Sequence, residues 1–309
     1  MRCLVTGASG QLGSFLTRLL VRKGHEVAVL VRPQSDLWRI SDLLPQVKLI
    51  YGDLSAVDKV TPQIGSVAPE TVFHIAWYGV TREYRDGPEQ IDPNLVGSIK
   101  LLQVALKSGC HCWVGIGSQE EYGPYDGVLR EELPPKPVTT YGVAKLCTGL
   151  LSRQLCEMAD TRFLWFRLLA TYGPKDDFRH FIPGVILKLL AFEKPALTSG
   201  EQKWDYLYVE DACRAIYHAV LHPSSKGIFN LASGEAYSVR SIAEQIRDLI
   251  DPSLSLGFGE VADCSGQRTN LQADVSRLKA IGWAPKVSLE EGLRTTVSWY
   301  KTYRSPLAV

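Results

Sequence analysis

The stretch Thr6-Gly7-Ala8-Ser9-Gly10-Gln11-Leu12-Gly13 decides the fold class of this chain of 309 residues. It follows a short apolar run, Arg2–Thr6, and overlaps a segment with apolar residues at helical spacing, 11–23. Another apolar run, Glu26–Val31, completes a strand-helix-strand pattern. At such a turn, glycines at every third position permit a tight bend, let backbone amides approach a pyrophosphate and allow close helix–strand packing. The stretch therefore predicts a dinucleotide-binding turn.

The remainder of the first 170 residues repeats this alternation. Short apolar runs predict strands at 47–51, 71–75, 112–117 and 162–169, and helical periodicity predicts helices over 88–108 and 139–159. Strands that alternate with helices form a mainly parallel sheet. We therefore expect an α/β protein with a doubly wound parallel sheet of the Rossmann type.

Beyond residue 170 the pattern is more irregular. It predicts strands at 206–209 and 227–230 and helices over 210–221, 238–249 and 289–303. We expect two domains. The dinucleotide-binding Rossmann domain covers residues 1–170, and the chain rejoins it at about 204–224. A smaller C-terminal α/β domain covers mainly residues 171–309.

The composition is that of an ordinary globular protein and argues against several function classes. Lys and Arg number 34 against 33 for Asp and Glu, so no global attraction to nucleic acid is expected. No apolar stretch reaches the ~20 residues of a membrane helix, and no signal-peptide core precedes the glycine turn. We therefore expect a cytoplasmic protein without nucleic-acid or membrane partners. Seven scattered cysteines predict reduced thiols, and Cys110 with Cys112 lacks the second ligand pair of a zinc site, so no metal is expected.

The end of the second predicted strand indicates which dinucleotide binds. An acidic residue there accepts from the ribose 2′-hydroxyl of NAD, whereas a basic residue pairs with the 2′-phosphate of NADP. This strand ends Val29-Leu30-Val31-Arg32, and the Arg32 guanidinium presents a fork of donors suited to a phosphate. We therefore favour NADP(H) and keep NAD(H) as the alternative. Asp53, with Leu54, follows the third strand, where a carboxylate can accept from the adenine amino group.

Tyr141 and Lys145 form a candidate acid–base pair. Four residues apart on a predicted helix, their side chains share one face. A fixed cation stabilises the anion of a phenol, whose pKa is otherwise ~10, and so brings proton transfer to or from an alcohol or carbonyl oxygen within reach. Ser118 ends the preceding strand, at the sheet edge where open α/β sheets bind ligands, and can hold the reacting oxygen.

These motifs, in this order, resemble the extended short-chain dehydrogenase/reductase family, in its nucleotide-sugar epimerase/dehydratase/reductase branch. The resemblance covers nearly the whole chain. It rests on the glycine turn and on Phe73-His74-Ile75-Ala76, Asn94-Leu95-Val96-Gly97-Ser98, Ser118-Gln119-Glu120-Glu121-Tyr122-Gly123, Tyr141-x-x-x-Lys145, Tyr172-Gly173-Pro174, Trp204-Asp205-Tyr206, Phe229-Asn230-Leu231-Ala232 and Ile281-Gly282-Trp283-Ala284-Pro285.

The resemblance implies roles for these residues. Tyr141 would be the general acid/base, Lys145 would tune it and hold the nicotinamide ribose, and Ser118 would orient the substrate oxygen. The dinucleotide would be lined by Gly7, Ser9, Gly10, Gln11, Leu12, Gly13, Arg32, Asp53, Leu54 and Ala76, together with Tyr141 and Lys145. The substrate would be a sugar carrying a nucleoside diphosphate, bound mainly by the C-terminal domain of residues 171–309. The assembly would be a homodimer joined through a four-helix bundle of the helices near 88–108 and 139–159.

Several positions depart from the family pattern. Glu120 stands where sugar 4,6-dehydratases carry an acid, which implies either proton abstraction at C5 or a structural hydrogen bond. The residue before it is Gln119, where many dehydratases have aspartate, so we rank elimination lower. Ala170 replaces a usual asparagine, and Trp204 replaces a usual cation.

The diphosphate contacts are therefore open. Lys175 and His180, on a loop, are candidates to replace them, with a solvated charged loop as the alternative. Arg268, four residues after Cys264, is a further candidate near the C-terminus. Trp77, Gln119 and Trp204 complete the candidate substrate contacts. His74, in a motif at a strand end, is expected to be structural.

The preferred dinucleotide separates the family's chemistries. Epimerases and dehydratases regenerate a retained NAD within each turnover, whereas an NADPH-preferring site indicates net reduction. We therefore expect NADPH-dependent reduction of a nucleotide-linked 4-keto sugar, a 6-deoxyhexose, with Tyr141 as proton donor. The alternative is an NAD-dependent 4-epimerase or 4,6-dehydratase. A non-catalytic, dinucleotide-sensing protein is disfavoured because Tyr141, Lys145 and Ser118 are all present.

Overall fold

Seven parallel strands form the central sheet of the computed structural model, which describes residues 1–125, 127–262 and 270–303. In chain order they are β1 (Arg2–Thr6), β2 (Glu26–Val31), β3 (Val47–Tyr51), β4 (Thr71–His74), β5 (Cys112–Ser118), β6 (Arg162–Leu168) and β7 (Gly227–Leu231). Across the sheet they lie in the order β3-β2-β1-β4-β5-β6-β7. The expected doubly wound α/β sheet is confirmed. Its order reverses between β1 and β4, the point where such sheets open a crevice at the carboxyl ends of their strands.

Helices cover both faces of this sheet. The helices of the described residues are α1 (Gln11–Arg22), α2 (Thr61–Val67), α3 (Val96–Lys107), α4 (Thr140–Met158), α5 (Phe181–Leu190), α6 (Val209–Leu221), α7 (Val239–Ile250), α8 (Ser276–Ala280) and α9 (Leu289–Thr302), of which α5, α7 and α9 enclose a separate core. One face packs against α1, α6 and α8 through apolar side chains such as Leu16 and Ile216. The other packs against α2, α3 and α4 through Ile64, Leu101 and Cys156. The sheet is thus buried on both sides, as its near-continuous apolar strands require.

The helix expected over 88–108 is divided in the structure. A 3-10 turn, Pro88–Gln90, and a π turn, Ile91–Leu95, precede α3. Asp92 has φ −127° and ψ 118°, which is extended rather than helical. Pro93 explains this break, because a proline disfavours the helical conformation of the residue before it and lacks an N–H to donate.

Helix α5 was not predicted. Its sequence is apolar around most of its circumference and contains Pro183, so it shows neither a helical stripe nor an uninterrupted helix former. The proline is tolerated because it lies in the first turn, where N–H groups have no partner within the helix. With α7 and α9, this helix encloses a separate apolar core that includes Ile186, Ile246 and Val297.

Strands of the C-terminal half, together with Val128–Leu129, form small sheets that are separate from the central one. Four short strands lie in the order Tyr237–Ser238, Lys203–Trp204, Asn270–Ala273, Val128–Leu129. Ala170–Tyr172 pairs with Tyr206–Tyr208, and Ala196–Leu197 pairs with Gly257–Phe258. Between these short strands the chain returns to the central sheet. There α6 packs on α1, and β7 pairs with β6 at the edge of the sheet. Among the described residues, no helix combines the length and apolarity needed to cross a membrane.

Candidate active site

A cavity of about 470 Å³ lies at the carboxyl ends of β1, β2, β4 and β5. All the residues predicted to bind the dinucleotide line it: Gly7, Ser9, Gly10, Gln11, Leu12, Gly13, Arg32, Asp53, Leu54, Ala76, Tyr141 and Lys145. Ser118 lines it as well, as do Trp77, Gln119 and Trp204 from the predicted substrate set. One continuous cavity therefore joins the glycine turn to the acid–base pair.

The three glycines of the turn are required for different reasons. Gly7 has φ +75°, and a Cβ there would lie 2.7 Å from the backbone nitrogen of Ala76. At Gly13 a Cβ would lie 2.0 Å from the Gly7 carbonyl oxygen. At Gly10, however, a Cβ would meet only that oxygen, at 3.4 Å, and φ is −82°. Packing therefore demands glycine at 7 and 13, whereas at 10 the free space faces the cavity and fits a bound pyrophosphate at the N-terminus of α1.

The adenosine end of the cavity is formed where β2 and β3 end. The exposed Arg32 lines it together with Ser35, and the guanidinium lies 5.9 Å from the centre of the Tyr78 ring. The Asp53 carboxylate accepts from the Ser55 amide and hydroxyl, at 2.9 and 2.8 Å. Asp53 therefore caps the following 3-10 helix, Leu54–Val60, while it also borders the cavity.

The acid–base pair lies on the first turns of α4. The Lys145 ammonium donates to the carbonyl oxygen of Ile116 at 2.7 Å and lies 3.7 Å from the centre of the Trp77 ring. Burial lowers the pKa of Lys145 to about 7, against an opposing effect of Glu121. Burial also raises the pKa of Tyr141 to about 12, while the neighbouring Ser118 hydroxyl and the Arg85 charge act in the opposite direction. At neutral pH Tyr141 therefore holds its proton and is able to donate it.

Ser118 is fixed by the helical turn that follows β5. Its hydroxyl accepts from the Glu120 amide at 3.2 Å, and its own amide donates to the Glu121 carboxylate at 2.9 Å, which forms a capping box. The buried Glu121 also pairs with Arg167 at 2.8 Å. Arg167, near the end of β6, therefore anchors the Ser118 turn.

Glu120 does not line the cavity. Its carboxylate accepts from Arg85 at 2.9 Å and from the Gln119 amide at 2.7 Å, both at Oε1. Arg85 comes from the loop after β4 and itself lines the cavity. It was not predicted, since no motif or periodicity marks its position.

The structure does not bring Lys175 and His180 to the cavity, and so corrects their expected place beside the substrate. The Lys175 ammonium donates to the carbonyl oxygen of Arg39 at 3.0 Å, and the His180 ring bonds to the Asp176 carboxylate at 2.9 Å. Both side chains are held by neighbours outside the residues that line the site. Arg268 and Cys264 lie outside the described residues.

His74 is buried between two hydroxyl groups. It bonds to Thr6 at 2.9 Å and to Ser98 at 2.7 Å, so it ties β1 to α3 beneath the cavity. Burial, assisted by the Lys145 charge, lowers the pKa of His74 to about 3. The ring is therefore neutral and serves to position the strands.

Comparison with known proteins agrees with this geometry. The model of the NAD dependent epimerase/dehydratase family matches residues 3–232. The chain is 28% identical to the low-salt glycan biosynthesis protein Agl12 of Haloferax volcanii, over 97% of this chain and 98% of that protein. It is 27% identical to the dTDP-glucose 4,6-dehydratase of Mycobacterium tuberculosis, over 99% and 95%.

A solved structure extends the likeness to three dimensions. The UDP-glucose 4-epimerase of Thermotoga maritima, solved with UDP-glucose, superposes with a TM-score of 0.88 at 25% identity, covering 98% of this chain and 99% of that one. The matched residues include the glycine turn, Ser118, Tyr141 and Lys145. The chain is therefore an enzyme of the NAD dependent epimerase/dehydratase family, in the nucleotide-sugar branch of the extended short-chain dehydrogenases/reductases.

Proposed function

We propose that this enzyme uses NADPH to reduce the C4 ketone of a nucleoside-diphosphate-linked 4-keto-6-deoxy sugar. The observation that carries the proposal is Arg32, which lines the adenosine end of the cavity where β2 ends. A guanidinium suits a 2′-phosphate, whereas a carboxylate at that strand end suits the free hydroxyl of NAD. Net reduction uses a dinucleotide that arrives reduced and leaves oxidised, which is the usual task of NADPH.

The residues of this chain supply the proton and the orientation. NADPH, when bound, supplies hydride to the sugar C4. Tyr141 donates its phenolic proton to the ketone oxygen, so that the C=O group becomes an alcohol. Ser118 donates to the same oxygen, and Lys145, four residues along α4, favours the phenolate that is left behind.

The surroundings of Glu120 support reduction over elimination. A dehydratase needs a carboxylate that acts as the base to abstract the C5 proton and a carboxylic acid that protonates the departing hydroxyl. Here Glu120 does not line the cavity, and its carboxylate is paired with Arg85. The neighbouring residue Gln119 does line the cavity, but its side chain is an amide. Neither residue therefore offers the sugar a free carboxyl group.

An NAD-dependent 4-epimerase or 4,6-dehydratase is the second candidate. It is favoured by the family's description as NAD dependent and by the names of the relatives in Mycobacterium tuberculosis and Thermotoga maritima. These enzymes begin by oxidising the sugar at C4, which the same Tyr141, Lys145 and Ser118 would serve in reverse.

The identity of the dinucleotide separates the two candidates. The experiment releases any dinucleotide that co-purifies with the protein, identifies it by mass, and titrates the stripped protein with NADPH and NADH. We expect preferential NADPH binding, and oxidation of NADPH when a nucleotide-linked 4-keto-6-deoxy sugar is added. Retained NAD, with turnover of UDP-glucose or dTDP-glucose, would instead make the second candidate correct.

The Arg32→Gln variant tests the observation directly. Loss of a charge-assisted contact at an exposed phosphate should weaken NADPH binding about tenfold or more and leave NADH binding within about twofold. Arg22→Gln, an exposed arginine at the end of α1 outside the cavity lining, is the matched control. Equal weakening of both dinucleotides would refute the 2′-phosphate role.

Substrate binding and assembly complete the proposal. Trp204, which lies in the C-terminal half, lines the cavity, and this supports a contribution of residues beyond 170 to binding of the sugar nucleotide. The subunits pair through α3 and α4, whose outer surface carries exposed apolar side chains such as Leu150 and Leu151.

A further inference from the structure

Arg85 lies at the reaction end of the cavity, beside the acid–base pair. Its guanidinium carbon is 5.9 Å from the centre of the Tyr141 ring. Its backbone carbonyl oxygen accepts from the Tyr141 amide at 2.7 Å, which ties the loop after β4 to the first turn of α4. Both the backbone and the side chain of Arg85 therefore lie next to Tyr141.

One edge of the guanidinium is fixed by the protein. Nη1 donates to Oε1 of Glu120 at 2.9 Å, and the Gln119 amide donates to the same oxygen at 2.7 Å. The Glu120 side chain is 14% exposed and that of Arg85 is 34% exposed, so the carboxylate is the more shielded partner. Glu120 thus serves to orient Arg85.

Another donor of the same guanidinium has no partner. Nε of Arg85 is buried and, within the described residues, makes no hydrogen bond. Nε itself is closed to a ligand in the cavity. Arg85 nevertheless lines the cavity and its side chain is 34% exposed, so the remaining donors of the guanidinium can reach an acceptor on the ligand.

We propose that Arg85 binds the sugar ring by donating a hydrogen bond from its guanidinium to the hydroxyl oxygen on C3. The inference rests on the proposed function for the choice of atom. Of the two carbons next to C4 in a 4-keto-6-deoxy sugar, C5 carries the ring oxygen and a methyl group, and only C3 carries a hydroxyl. Arginine has donors and no acceptor, so it recognises this oxygen and not a C–H group in its place.

Such a contact makes Arg85 a specificity-determining residue. A site built around a hydrogen bond to a substrate hydroxyl discriminates against the analogue that lacks it, because its own donor is then left unpaired. The enzyme should therefore prefer a 4-keto-6-deoxy sugar over the corresponding 4-keto-3,6-dideoxy sugar.

The test compares these two nucleotide-linked sugars with wild-type enzyme and Arg85→Gln. We expect wild-type kcat/KM to favour the 3-hydroxy sugar by about tenfold or more. Arg85→Gln should lose about tenfold or more on that sugar and little on the 3-deoxy sugar, with the KM for NADPH within about twofold. An equal loss on both sugars would overturn the proposal, since Arg85 would then act through Tyr141 or through the fold.

Arg179→Gln is the matched control. Arg179 is an exposed arginine that pairs with Asp177 and Glu83 outside the cavity lining, so its loss should leave the ratio between the two sugars unchanged. Far-ultraviolet circular dichroism and dinucleotide titration check that each variant is folded.

A binding measurement keeps the inference separate from the proposed reaction. Calorimetry first measures Kd of wild type for UDP and for dTDP. The nucleotide that binds tighter and its glucose derivative, UDP-glucose or dTDP-glucose, are then compared between wild type and Arg85→Gln. Glucose carries the same C3 hydroxyl, so it should improve affinity over the nucleotide alone in wild type, and Arg85→Gln should lose most of that gain. If no 4-keto sugar oxidises NADPH but this result holds, the proposed function fails and the Arg85 contact stands. If glucose adds no affinity in wild type, or the same affinity in the variant, the Arg85 contact is wrong.

Discussion

Tyr141 owes its chemistry to burial. The side chain is almost enclosed, and a phenolate in such surroundings loses hydration that the nearby cations only partly replace. The protonated form is therefore the resting form, which suits a group that gives its proton as hydride reaches the carbon. Ser118, set at the strand end by the Glu121 capping box, keeps the reacting oxygen within reach of that proton.

Replacing Tyr141 with Phe should abolish turnover and spare cofactor binding. Only the hydroxyl is lost, and the ring keeps its place beside Trp77, with centres 6.1 Å apart. Positioned proton transfer contributes about 10²- to 10⁴-fold to rate, so NADPH oxidation should fall by that order. Steady-state kinetics and a dinucleotide titration measure the two effects. Turnover within tenfold of wild type would show that another group delivers the proton.

At the level of elements, the turn between β1 and α1 requires glycine at positions 10 and 13 for two different reasons, ligand binding and packing. Ala in place of Gly13 would push a methyl group into the backbone of Gly7, whereas Ala in place of Gly10 finds room and an ordinary backbone conformation. Gly13→Ala should therefore lower the free energy of unfolding by about 1–3 kcal/mol. Gly10→Ala should leave stability within about 1 kcal/mol and weaken dinucleotide binding. Urea denaturation and cofactor titration distinguish the two. A Gly10→Ala protein that binds the dinucleotide as well as wild type would place the pyrophosphate elsewhere.

The same elements show where sequence alone is sufficient. Strands of a sheet buried on both faces are continuous apolar runs between polar or glycine residues, so the end of β5, predicted at residue 117, is observed at Ser118. The start of α3 was missed because Asp92 and Pro93 interrupt the helix locally, and α5 because an all-round apolar helix has no stripe.

The candidate site divides in the same way. Residues that act through the backbone turn or through helical spacing, such as Gly10, Tyr141 and Lys145, could be found from local pattern. Arg85 and Glu120 are 35 positions apart, and only the folded chain brings the two side chains together. The hydrogen bond from Lys175 to Arg39, 136 positions away, is likewise invisible to local pattern, whereas the bond between His180 and Asp176 joins residues only four positions apart.

At the scale of the whole molecule, the loop before α5 is tied to α9 and carries a pH-sensitive pair. The Tyr300 hydroxyl donates to the backbone oxygen of Asp176, whose carboxylate accepts from His180. That hydrogen bond raises the pKa of His180 above its usual 6.5, against the opposing effects of burial and Arg179. The pair therefore adds stability that is fully present below about pH 6.5 and is lost as pH rises through the raised value.

His180→Asn should consequently destabilise the protein more in acid than in base. Because the ring is half exposed, we expect a loss below about 1 kcal/mol at pH 5.5 and a smaller one at pH 8.5. Urea unfolding of both proteins at the two pH values measures the difference. A larger loss at pH 8.5 would mean that the neutral ring, and not the charged one, makes the stabilising contact.

The outer surface of α4 argues for pairing of whole subunits. Val143, Leu150 and Leu151 recur at helical spacing and are each more than 40% exposed, although α4 buries its other face against the sheet. An apolar stripe of this kind on a soluble helix indicates a protein contact.

Changing both Leu150 and Leu151 to Glu places two charges in that contact and should convert dimers to monomers, measured by light scattering across a concentration series. Leu221→Glu, an equally exposed leucine on α6 across the sheet, should leave the mass unchanged. None of these three residues lines the cavity, so the monomer should still bind the dinucleotide. A wild-type protein that is monomeric at every concentration would assign the α4 stripe to some other partner.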